Sequence, residues 1–143
     1  MCFEIVDDYS LADVAFRAYG KELSELFKNS AFAIIAIIVQ NVEQISREIV
    51  KCIDLENADI TLLFYEYLQE FLFYKDSSSL LLIADSVHIC ETTDGYKLNC
   101  ITYGERIKRD KHIFNVDVKA VTMHKLLIEQ RRDIWTATVV LDV

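Results

Sequence analysis

Apolar and polar residues alternate along the stretch ADVAFRAYG. Val14, Phe16 and Ala18 share one face, while Asp13, Ala15, Arg17 and Tyr19 share the other. This predicts a strand over 12–19, and a short run over 2–6 predicts another before it. Gly20 punctuates, and from Lys21 to about Asn41 the period changes. Leu23, Leu26, Phe27, Ala31, Ile34, Ile35 and Ile38 follow steps of three and four, which predicts an amphipathic helix. Ile45, Arg47, Ile49 and Lys51 alternate less cleanly and predict a third strand over 44–53.

Asn57 is placed to cap a second helix, with Asp59 in the first turn where the helix dipole favours an acid. Ile60, Leu63, Phe64, Tyr67, Phe71 and Tyr74 lie along one face, and Asp59, Glu66 and Glu70 along another. Apolar residues cover most of its circumference, so the helix is expected between two layers. The rest of the chain reads as β-structure. A long strand over 79–93 meets Asp94-Gly95, a hairpin signal, and returns over 96–104. A charged loop, ERIKRDK, leads into a long strand over 112–130. Arg131, Arg132 and Asp133 then turn into a last strand over 134–143. The order ββ-α-β-α-ββββ, with an antiparallel second half, predicts an α+β domain of two helices on a mixed or antiparallel sheet.

Composition narrows the function. The chain of 143 residues has no proline and three glycines, and nothing in it reads as a linker or repeat. A single domain over 1–143 is expected. Its formal charge is −8 and its pI about 4.8. Binders of nucleic acid usually carry a basic footprint, so direct contact with RNA or DNA is not expected. The acidity suits a cation or a basic protein partner, or serves solubility. Cys2, Cys52, Cys90 and Cys100 form no CxxC pair, which argues against a zinc site of ordinary spacing. They read as reduced structural thiols. The longest apolar run, Ala31 to Val39, has nine residues, whereas a spanning helix needs about 20. With no signal peptide visible, a cytoplasmic protein is expected.

Few motifs of catalysis are legible. The sequence has no GxxxxGK[ST], no GxGxxG and no recognisable nucleophile motif. Glu66 and Glu70, one turn apart, read first as a solvated helix face, with cation binding or acid–base work as the sharper alternative. His124, on a strand face with Val118, Ala120 and Thr122, reads as a hydrogen-bonded structural histidine, and Lys119 as solvated or paired. The last residues pose a sharper question. Asp142 ends an apolar strand, and the α-carboxylate of Val143 follows it. If a third acid joined them from a neighbouring strand, their repulsion would call for a proton or a cation. Oxygen-only ligands suit a hard cation.

Four segments carry a family resemblance. ADVAFRAYGKELSELFKNSAFAI resembles the opening block and first helix of the archease family, and LLFYEYLQEFLFYKD its second helix. GERIKRDKHIFNVDVKAVTMHKL is similar to its Gly-Glu…Lys-His…Val-Lys-Ala-Val-Thr-x-His block. WTATVVLDV resembles its terminal strand, which also ends one residue after an aspartate. The resemblance covers nearly the whole chain. It implies an α+β fold built on a strand-helix-strand-strand module. It implies an accessory protein, not a stand-alone enzyme, that activates an RtcB-type tRNA-splicing RNA ligase by promoting guanylylation and multiple turnover. It also implies a metal site at Asp13, Asp142 and Val143 for a divalent cation, calcium first, with magnesium or manganese as alternatives. One departure is visible. The family commonly reads His-Thr before Ala-Asp, where this chain has Ser10 and Leu11. Two other classes stay open: a metal-dependent phosphotransfer or hydrolytic enzyme using Asp13, Asp142 and Glu66, and a metal-independent chaperone or assembly module.

Overall fold

A computed structural model describes residues 2–6 and 13–143. The positions of Ser10, Leu11 and Ala12 lie outside the described residues. Two helices pack between and against two antiparallel sheets. The elements are β1 (Phe3–Val6), β2 (Asp13–Gly20), α1 (Leu23–Ile38), β3 (Ile49–Asn57), α2 (Ile60–Ser78), β4 (Leu80–Thr92), β5 (Gly95–Arg106), β6 (Ala120–Val121), β7 (Leu127–Arg131) and β8 (Ile134–Asp142). One sheet runs β1-β2-β8-β6, with β7 also pairing β8; the other runs β3-β5-β4. This is the α+β architecture that the alternation of periods predicts.

The first sheet buries the face that its sequence marks. In the β2–β8 pair, Phe16 opposes Val139 and Ala18 opposes Ala137, and all four are fully buried. Helix α1 covers that face and reaches β4 of the second sheet, so it is held between layers. Its polar Asn29 and Ser30 are buried without cost because each donates to a carbonyl: Asn29 Nδ2 to Tyr19 at 2.7 Å, and Ser30 Oγ to Leu26 at 2.7 Å. The expectation that α2 lies between layers holds in part: it meets the second sheet and, through β6, the first. It packs on β3, β4, β5 and β6 and leaves Leu62 and Phe73 exposed. The two helices meet through aromatic rings. Phe27 lies 4.8 Å from Phe64 and 5.2 Å from Tyr67, and Tyr67 lies 5.2 Å from Phe71.

Capping sets the helix bounds more sharply than periodicity does. Asp59, not Asn57, is the N-cap of α2: its Oδ1 accepts from the N–H groups of Thr61 at 2.8 Å and Leu62 at 3.1 Å. Asn57 sits two residues earlier and accepts from the Asp59 N–H at 2.9 Å. The helix runs past Tyr74 to Ser78, where Ser79 adopts a left-handed conformation with φ 53°.

Two strand expectations are also corrected. The third strand begins at Ile49, not at 44, because a turn of 3-10 helix occupies Val42–Gln44. It then pairs with β5 from Ile49 opposite Gly104 to Asn57 opposite Tyr96. The long strand expected over 112–130 is only β6 and β7. Its alternation is real, but its backbone groups find partners elsewhere. Phe114 bridges Val39, Asn115 N–H donates to the Ile38 carbonyl at 2.8 Å, and the Val118 carbonyl accepts from Lys75. A turn at His124 and Lys125, with Lys125 at φ 56°, separates β6 from β7. No described helix is long and apolar enough to cross a membrane.

Candidate functional site

Strands β2 and β8 run antiparallel with Asp13 directly opposite Asp142. Opposed residues of such a pair project their side chains to the same face, with Cβ atoms typically about 4.5–5.5 Å apart. Both carboxylates are half-buried. This face lies across the sheet from Phe16 and Val139; Ala15 and Val140 share it and are themselves buried, and Arg17 opposes Thr138 on it. On the other side of β8, Ala120 of β6 is the register partner of Asp142, and the Lys119 N–H donates to the Asp142 carbonyl at 2.8 Å. Val143 follows at once, half-buried, its side chain packed against the core.

The chemistry of this donor set is narrow. Two like charges set directly across a strand pair destabilise it unless a proton or cation relieves them. The side-chain donors are carboxylate oxygens, which fit a hard cation such as Ca²⁺ or Mg²⁺ and not a thiophilic one. Among the described residues no three His, Cys, Asp or Glu side chains come together as a metal cluster. Asp13 and Asp142 could supply two side-chain carboxylates to such an ion, and Val143 adjoins them.

Other candidate residues lie elsewhere. Glu66 accepts from Asn57 Nδ2 at 2.6 Å, which ties it to the start of α2 and the end of β3. Glu70 is half-buried further along α2. His124 is exposed in a turn, so the expectation of a structural histidine on a strand face is corrected. The Lys119 side chain is exposed, while its backbone supports Asp142. Of the four cysteines, Cys2, Cys52 and Cys90 are exposed, and only Cys100 is buried in the core. Burial pushes the Cys100 thiol up to about 12.

Two arrangements were not legible beforehand. Glu105 has a fully buried side chain at the end of β5. It accepts from Lys111 Nζ at 2.7 Å, from the Ser46 N–H at 2.8 Å and from His112 Nε2 at 3.2 Å, and Lys108 Nζ lies 3.2 Å away. Because His112 Nδ1 accepts from the Lys108 N–H at 2.9 Å, its Nε2 carries the proton given to Glu105. Burial alone would raise the Glu105 carboxyl. The hydrogen bonds from Lys111, Ser46, His112 and Lys108 outweigh it and hold that carboxyl at about 2. The cluster pins the charged loop after β5. The second arrangement is Lys75, buried in the last turn of α2, with Nζ 2.7 Å from Asp117 Oδ1, 2.7 Å from the Val118 carbonyl and 2.9 Å from Asp76 Oδ1. A lysine next to an acid reads as surface in any sequence; only the path of 112–119 reveals its burial.

Fold and site define a class: a small α+β domain of two helices and two sheets, with an opposed carboxylate pair at one end of its five-stranded sheet. Residues 3–143 match the model of the archease protein family (MTH1598/TM1083). Protein archease of Pyrococcus abyssi is 36% identical over 133 residues, which cover 92% of this chain and 93% of that protein. The solution structure of Methanobacterium thermoautotrophicum protein 1598 superposes with a TM-score of 0.85 at 32% identity, covering 99% of this chain and 98% of that one. The crystal structure of an archease of Thermotoga maritima, described as a possible chaperone, shares the fold at a TM-score of 0.64 and 19% identity, with 96% of each chain covered. The chain belongs to the archease family.

Proposed function

We propose that this protein is an accessory factor, not a stand-alone enzyme, which activates an RtcB-type tRNA-splicing RNA ligase. The activation is assigned to the guanylylation of the ligase and to its multiple turnover. The observation that supports this most is the direct opposition of Asp13 and Asp142 in the β2–β8 register. Side chains so placed would hold a divalent cation, calcium first, together with the Val143 carboxylate. Bound there, the cation would supply charge neutralisation beside a nucleoside triphosphate. The chain's own contribution is to present the two carboxylates on a sheet end, held from both sides of β8. The formal charge of −8 suits a partner with a basic groove for RNA and GTP. Steering by complementary charge would then speed encounter more than it tightens the complex.

The test is the formation of covalent ligase–GMP. An RtcB-type ligase is mixed with GTP and a divalent metal, with and without this protein, and then with Asp13→Ala. Faster guanylylation that the substitution abolishes supports the reading. No acceleration by the unsubstituted protein overturns it. Acceleration that survives both Asp13→Ala and Asp142→Ala would instead favour a metal-independent assembly role. Turnover of a triphosphate by the isolated protein would favour an enzyme.

A further inference from the structure

We infer that Lys75 is a positioning residue for the carboxylate pair, acting from α2 through residues 117–119. The inference rests on the cation-site reading of Asp13 and Asp142 and adds what holds that site in register. Asp142 has a strand neighbour on each side. On one side stands β2, eight residues long and paired along its full length. On the other stands β6, which is two residues long. So short a strand contributes little pairing of its own. The preceding residues, 112–119, add no strand to the sheet.

Further along the same edge Thr122 holds β8 through its N–H and Oγ1, both donated to the Val140 carbonyl at 3.0 Å, and β7 pairs with β8 beyond it. Before Ala120 the hold comes from α2. Lys75 Nζ donates to the Val118 carbonyl and to Asp117 Oδ1, each at 2.7 Å. The next residue, Lys119, gives its N–H to the Asp142 carbonyl at 2.8 Å. Six residues earlier on α2, Gln69 Oε1 accepts from the Val121 N–H at 2.9 Å. Two polar side chains of one helix thus tie down the backbone on both sides of Ala120, the register partner of Asp142. The Lys75 side chain is 4% exposed, whereas Asp117 and Asp76 are 74% and 59% exposed. The ammonium is the buried hub and the acids are its solvated rim. Without it, the buried Val118 carbonyl loses its donor and Asp117 its anchor. Residues 117–119 would then loosen from β8 while Gln69 still holds Val121, and the Lys119 N–H would be free to leave the Asp142 carbonyl.

The experiment compares the protein with Lys75→Met and Lys75→Arg. Hydrogen exchange is read at individual amides, and Ca²⁺ affinity by calorimetry. In Lys75→Met the Lys119 amide is expected to exchange at least tenfold faster (order of magnitude), with the amides pairing β2 to β8 unchanged. Ca²⁺ affinity is expected to fall about tenfold, and Lys75→Arg, which keeps the charge but donates from a larger planar group, to recover part of both losses. Should Lys75→Met fail to fold, Asp117→Asn leaves the buried ammonium in place and is expected to show the same pattern at smaller amplitude. Unchanged Lys119 protection in the folded variant, or Ca²⁺ affinity equal to that of the parent, overturns the inference. Failure of the parent itself to bind any divalent cation would instead sink the cation-site reading. The exchange at Lys119 would still decide whether the clamp holds the strand.

Discussion

Asp13 and Asp142 face each other across the β2–β8 pair, although 128 residues lie between them in the chain. Like charges in directly opposed positions cost a strand pair up to about 1 kcal/mol. Without divalent cation, Asp142→Asn is therefore expected to melt at or slightly above the parent temperature. With Ca²⁺ at about 100 times its dissociation constant, the parent should gain about 2.7 kcal/mol and the variant almost none. Thermal melts with and without Ca²⁺ check both parts. A variant that gains as much as the parent would remove Asp142 from the site.

Glu105 governs the acid limb of stability. Its folded-state value of about 2 lies below the ordinary 4.5, so the unfolded chain takes up the proton first as pH falls. The stabilisation is fully present above about 4.5 and is lost as pH drops from there through about 2. Glu105→Gln should lower stability at neutral pH by about 1–3 kcal/mol, since it removes the acceptor of charged hydrogen bonds. It should also flatten the decline between those two pH values. Denaturant midpoints across that window measure the effect.

Tyr67 carries the opposite lesson. Its ring is fully buried beside Phe27 and Phe71, and among the described residues its hydroxyl finds no nitrogen or oxygen partner, only the weakly bonding thiol of Cys100. Burial pushes its pKa well up, with the neighbouring Cys100 adding to the rise. A hydroxyl buried without a partner costs about 1–3 kcal/mol. Tyr67→Phe should accordingly be neutral or stabilising by up to about that amount in chemical denaturation. A loss above about 1 kcal/mol would show that the hydroxyl is satisfied in solution.

At Gly104 in β5 the backbone of β4 leaves no room for a side chain. A Cβ there would collide with the carbonyl of Leu81, a backbone atom that has nowhere to move. Gly104→Ala should cost about 3 kcal/mol or more, within the range for overpacked cores. The fraction of protein recovered folded, followed by a melt of whatever folds, tests this.

Thiol titration separates the cysteines. Cys2, Cys52 and Cys90 are exposed, and Cys100 is buried with its thiol pushed up to about 12. Three equivalents should react rapidly in native buffer and the fourth only on unfolding. Four fast equivalents would show that the core around Cys100 opens readily.

Much of this protein was determined by residue order alone. The two periods along the chain place both helices and most of the strands, because side chains that share a face must share a burial fate. The apolar face of β8, from Trp135 to Leu141, and the Asp94-Gly95 turn were legible for the same reason. Gly95 takes a φ of 136°, which suits a residue without a side chain. Asp142 is legible as a candidate from the acidic end of its strand and Asp13 through family resemblance, but their mutual distance is not. Register is a property of paired strands, and only the β2–β8 ladder set the two acids opposite each other. The stretch 112–130 shows why tertiary structure decided the rest. It alternates like a strand, yet His112, Phe114, Asn115 and Val118 find partners on Glu105, Val39, the end of α1 and Lys75. Backbone groups go to the partners the fold brings within reach, and local pattern cannot rank distant partners such as Val39 for Phe114 or Lys75 for Val118.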